Sequence, residues 1–173
     1  MTTLRCTEKL LKRLRIDDPG EPPAPKNRLG DWFANIIFTR QGHYVILVNE
    51  KSLLPVITTA RDLDNLVPRF LRDLSEVLSA LGVPERVIER EVESMEPMYF
   101  GRTNSRKVLG SMNDFVQMFK WSLEEYPDST LIDWSLFLAR TPCGPIGMER
   151  PGRLAPRLLK NPLNFGVIEG GKS

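Results

Sequence analysis

Arg102, Arg106 and Lys107 stand within six residues of one another and enclose Thr103, Asn104 and Ser105. Each of those three polar residues is a competent helix N-cap, and a strongly periodic segment follows them directly. Free N–H groups at a helix start, hydroxyls and three nearby cations together make the chemistry of an anion site. Cations in a first turn oppose the helix dipole by up to about 1 kcal/mol, so they call for a partner. That partner is either an external anion or the chain's own carboxylates, with water as the remaining alternative. Asn113, two turns further on, is placed to orient a bound group.

The rest of the chain offers little for catalysis. His43 is the sole histidine and adjoins a hairpin signal, Gln41-Gly42, with no nucleophile or carboxylate near it in sequence. One imidazole excludes zinc sites that need two, and Cys6 and Cys143 form no CxxC pair. Glu85, Glu89, Glu93 and Glu96 recur at helical spacing and read as a solvated face rather than a metal site. Carboxylate chemistry through Asp114, Asp128 or Asp133 stays open on a weak signal. Ser111, in LGSMND, has no nucleophile-elbow context, and GRTNSRK lacks the glycine spacing of a P-loop or dinucleotide fingerprint. No cofactor and no metal is expected.

The element that must position the cations is a helix from about Arg106 to Tyr126. Val108, Leu109, Met112, Phe115, Val116, Phe119 and Leu123 form its core stripe. The opposite face, Gly110, Asn113, Gln117 and Trp121, carries charge only at its ends, Arg106 and Glu124. Gly110 costs such a helix about 1 kcal/mol relative to alanine, which suggests a close approach there by another backbone or a ligand.

Upstream, residues 3–6 read as a short strand leading into a basic amphipathic helix with Leu10, Leu11 and Leu14 on one face and Thr7 as its cap. The segment DDPGEPPAPK holds four prolines and reads as a linker or extended arm over residues 17–27. Trp32–Thr39, His43–Asn49 and Leu53–Thr59 form an antiparallel meander, its middle strand apolar on both faces and Pro55 placing the last at an edge. A helix follows over residues 62–81, closed by Gly82, and another from Glu85 to Met95, ended by Pro97. Met98–Phe100 supplies a fourth strand running into the Arg106 helix. Ser129 reads as the cap of a helix through Leu138, and a last helix spans 153–160. The sum is one α+β domain over residues 1–160. It comprises a three to four stranded, mainly antiparallel sheet packed with about five helices on at least one face, with a flexible tail at 161–173.

Composition suits a soluble domain, with 173 residues, 41% hydrophobic, 27% charged and a net charge of +2. Residues 1–15 carry five cations against one anion, and residues 140–173 six against two, so the basic ends flank an acidic body. The two ends can meet as one patch or lie solvated. No segment has the length and apolarity of a membrane span or a signal peptide, which places the chain in the cytoplasm. Oligomeric state stays open.

The blocks RCTEKLLKRL, RLGDWFANIIF, LVNEKSLLPV, FGRTNSRKVLGSMNDF and LARTPCGPIG resemble the recurring blocks of an uncharacterised bacterial family of small proteins, described only as a domain of unknown function. The resemblance covers most of residues 4–160 and implies a setting that includes plasmids and other mobile elements. It implies no activity. The residues themselves favour a non-enzymatic interaction protein that binds a macromolecular partner or nucleic acid through a basic surface. The alternative is a small enzyme acting on a phosphorylated or nucleotide substrate, with the three cations on phosphate and Asp114 as base or metal ligand.

Overall fold

A computed structural model describes residues 1–160; the expected tail at 161–173 lies outside the described residues. Five strands are joined in the order β4-β3-β2-β1-β5: β1 (Thr2–Cys6), β2 (Trp32–Phe38), β3 (His43–Asn49), β4 (Pro55–Thr59) and β5 (Met98–Arg102). The meander β2-β3-β4 is antiparallel, while β1 pairs parallel with both β2 and β5. Among the described residues six α-helices accompany it: α1 (Glu8–Leu14), α2 (Leu66–Ala80), α3 (Glu85–Met95), α4 (Arg106–Glu125), α5 (Leu131–Ala139) and α6 (Pro151–Lys160). The expectation of three to four mainly antiparallel strands and about five helices is corrected to a five-stranded mixed sheet with six. The meander is written in local turn signals, whereas the pairing of β1 with β5 joins residues about a hundred positions apart and has no local signature.

Side-chain alternation divides the sheet into two buried faces. Leu4, Cys6, Trp32, Ala34, Ile36, Val45, Leu47 and Val56 pack against α1, α2, α3 and α6. Phe33, Ile37, Ile46, Val48 and Ile57 pack against α4 and α5. The apolar stripe of α4 is buried as its spacing requires, and the helix crosses the sheet until Phe119 meets Tyr44 of β3 at a ring separation of 5.0 Å. The two outer strands are each held by further contacts. At β4, the Ser135 hydroxyl accepts from the outward N–H of Ile57 at 2.9 Å. At β5, residues 17–26 run as an extended strap. The Asp17 carbonyl accepts from Arg102, a Cβ on Gly101 would lie 3.0 Å from Pro22, and the Lys26 N–H reaches the Met1 carbonyl.

The strap delivers the chain to a buried polar corner before β2. Glu91 of α3, 2% exposed, accepts from the Asn27 side chain and the backbone N–H groups of Arg28 and Leu29 at 2.8–3.2 Å. Asp31, 3% exposed, accepts from the Thr3 N–H and from Arg5 Nε, tying β1 to the start of β2. Thr130 rather than Ser129 caps α5, in a reciprocal capping box with Asp133.

Candidate functional site

Because β1, β2 and β5 run parallel, their C-terminal ends open on one edge of the sheet, and β3 begins and β4 ends at that same edge. From β1 the chain enters α1 on one face; from the adjacent β5 it enters α4 on the other. Adjacent parallel strands whose connections diverge to opposite faces leave a crevice at their C-terminal ends, where α/β folds commonly seat ligands. The cations picked out by sequence sit at these strand ends, where Glu8 and the Asp17 carbonyl contact Arg102.

Arg102 ends β5. Its guanidinium pairs with Glu8, the first residue of α1, and donates to the Asp17 carbonyl, while its own carbonyl accepts from Arg5 Nη1 at 3.1 Å. It is therefore partnered rather than free. Arg102 and Glu8 side chains are 48% and 70% exposed. An ion pair this exposed contributes at most about 1 kcal/mol, so an incoming phosphate or carboxylate competes with Glu8 on nearly equal terms.

Ser105 is the N-cap of α4 and accepts from the Val108 N–H at 3.3 Å. Thr103 is half-buried, and Asn104, Arg106 and Lys107 are exposed. The starts of α1 and α5 each carry their own anion in the first turn, Glu8 and Asp133, whereas α4 has no acidic residue there and presents two cations. The structure thus brings Arg102 through Lys107 together but leaves Asn113 apart, exposed two turns along the outer face of the helix.

The basic helix read at the start of the chain extends this edge, although its place beside Phe38 was not read from the sequence. Lys9 Nζ and the Arg13 guanidinium stand 5.3 and 5.2 Å from the ring of Phe38, the last residue of β2. Phe38 is itself half-exposed and meets the edge of His43 at 4.7 Å. Alternating cations on α1 were visible in sequence; their convergence on β2 depends on the parallel pairing, which was not. Further along, a cavity of about 720 Å³ opens beside Gln41, His43, Tyr44, Arg61, Thr130 and Trp134, and no carboxylate lines it. Among the described residues the two basic ends lie apart: α1 lies by Phe38, whereas the C-terminal end of α6 meets Arg28, ahead of the opposite end of β2, through the Leu159 carbonyl.

Nucleophiles are poorly provided. Burial pushes the Cys6 thiol up to about 12, and burial together with the charge of Asp114 pushes Cys143 up. Both cysteines are unpaired. Ser111 is buried within α4, and Glu85, Glu89, Glu93 and Glu96 all face solvent. Among the described residues no group of three or more His, Cys, Asp or Glu side chains is placed to hold a metal ion, and no helix is long and apolar enough to cross a membrane.

An α+β chain with exposed cations at the ends of parallel strands defines a class only by its architecture. This chain belongs to the family described as Domain of unknown function (DUF6933), whose profile matches residues 3–154. Neither the comparison with curated proteins nor that with solved structures gives a match.

Proposed function

We propose that this protein is a non-enzymatic interaction module that binds an anionic macromolecular partner, nucleic acid or an acidic protein surface, through the rim formed by the starts of α1 and α4. The observation that carries this reading is the uncompensated start of α4. Arg106 and Lys107 are exposed there with no first-turn carboxylate, four residues beyond the displaceable Arg102–Glu8 pair, while Lys9 and Arg13 follow Glu8 on α1 and stand over Phe38. Buried thiols and solvated glutamates add no catalytic group to it. A reduced, cytoplasmic setting accords with the unpaired Cys6 and Cys143. The mobile-element setting implied by the sequence resemblance belongs to the same reading, and gene neighbourhood across the family tests it.

Binding of a short fluorescein-labelled DNA duplex at low salt, with polyglutamate as competitor, tests the rim directly. Lys9→Ala/Arg13→Ala and Arg106→Ala/Lys107→Ala should each weaken binding, while Lys160→Ala, at the opposite end of the sheet, should not. Competition by polyglutamate at matched charge assigns an acidic protein surface; its failure assigns nucleic acid. Equal binding by all variants would remove the rim from the account.

One observation favours a second reading. The cavity beside Arg61 and His43 lies on the same edge, has no carboxylate in its lining and suits a phosphorylated or nucleotide substrate. Asp114, the base that such an enzyme would need from sequence, lies two turns along α4 where its charge is felt by Cys143. Thermal unfolding with nucleotides and divalent metals distinguishes this reading, since a ligand at about 100 times its Kd adds roughly 2.7 kcal/mol.

A further inference from the structure

The outer face of α4 is unexplained within one chain. Gly110, Asn113, Gln117 and Trp121 are all exposed, and nothing lies within 4 Å of where a Cβ on Gly110 would stand. The close approach expected at this glycine is therefore not made by any described part of the same molecule. Trp121 and Tyr126 are 52% and 57% exposed, with their rings edge to face at 6.0 Å. A mid-helix glycine that touches nothing and an exposed tryptophan three turns along the same helix face are the two halves of a contact.

We infer that α4 pairs with α4 of a second copy of this chain, antiparallel across a two-fold axis level with residues 115 and 116. An isologous contact requires one surface to complement itself, residue i meeting j and j meeting i. The sequence of this face does so. Gly110 and Trp121 are equally far from the axis, so the tryptophan ring of each copy lies over the glycine of the other, large against small. Arg106 and Lys107 at one end come opposite Glu124 and Glu125 at the other, and all four are exposed. Asn113 and Gln117 meet near the axis as neutral amides, with the exposed Asp114 beside them as a like charge at that level. The 3.6-residue period places Arg106, Gly110, Gln117, Trp121 and Glu124 within one narrow stripe, which is the geometry of a helix–helix seam. This contact shares Arg106 and Lys107 with the rim but not Lys9 or Arg13, so the two readings fail separately.

Sedimentation equilibrium of the full chain over a concentration series tests the pairing. A monomer–dimer equilibrium is expected. Trp121→Ala, and Gly110→Leu, which adds bulk where the single chain has open space, should each weaken it by about tenfold or more, the scale of a central anchor. Glu124→Lys/Glu125→Lys should also weaken it, and adding Arg106→Glu/Lys107→Glu to that variant should restore it, because the ion pairs reform with exchanged signs. Lys9→Ala/Arg13→Ala should leave it unchanged. Circular dichroism of each variant reports folding independently. A chain that stays monomeric at its highest soluble concentration, or a dimer that survives Trp121→Ala and Gly110→Leu, overturns the inference.

Discussion

Two glutamates show how position decides what a carboxylate does. Glu91 and Glu89 stand two residues apart on α3, yet Glu91 is buried on three donors while Glu89 faces solvent. Glu91→Ala strands the Asn27 amide and two backbone N–H groups and should cost about 3 kcal/mol of stability in urea denaturation. Glu89→Ala should fall within about 0.5 kcal/mol of wild type. Sequence alone could not separate them, because EREVES supplies acids on several faces and only the packing of α3 against residues 27–29 selects one. Glu50 offers the pH test. Burial raises its pKa, the neighbouring Asp31 charge adds to the rise, and the Asp31 N–H bond at 2.6 Å opposes it. A raised folded pKa favours the protonated group in the fold, so its stabilising contribution is full below the unfolded pKa and is lost as pH rises through the folded value. Glu50→Gln keeps an acceptor for the Asp31 N–H without the charge. Its stability relative to wild type should therefore rise between pH 4 and pH 7. A difference, Glu50→Gln minus wild type, that stays constant or falls over that range contradicts the assignment.

At the scale of elements, α4 carries the account. Gly110→Ala adds a methyl group where nothing lies within 4 Å, so the gain in helix propensity should appear undiminished, stabilising the monomer by about 1 kcal/mol in thermal unfolding at low protein concentration. A loss of stability would mean that the glycine serves the chain's own packing. The α4 stripe, the α2–α3 corner at Gly82 and the meander were all legible, since each is written in periodicity or turn residues within a short window. The strands at residues 2–6 and 98–102 were legible as strands but not as parallel partners. The strap over Gly101 was legible only as proline-rich chain, because its role depends on a glycine in β5 far along the sequence. The candidate site divided in the same way. Arg102 through Lys107 were found by local chemistry, whereas Glu8, Lys9, Arg13 and Phe38 join them only through the β1–β5 and β1–β2 pairings.

For the whole molecule, the mixed sheet explains why a chain of net charge +2 can still present a basic edge. Cations from α1 and α4, far apart in sequence, are collected at the C-terminal ends of parallel strands, while the glutamate stripe of α3 stays exposed on another surface. Electrostatic binding of this kind has a signature that shape alone does not give, because each phosphate neutralised releases counterions and steepens the salt dependence. The most direct test is the slope of log K against log salt for the DNA duplex. The account predicts a clearly negative slope for the wild type. It also predicts a flattening by roughly one for each phosphate contact removed in Lys9→Ala/Arg13→Ala/Arg106→Ala/Lys107→Ala. The same slope and affinity in that variant as in the wild type would contradict it.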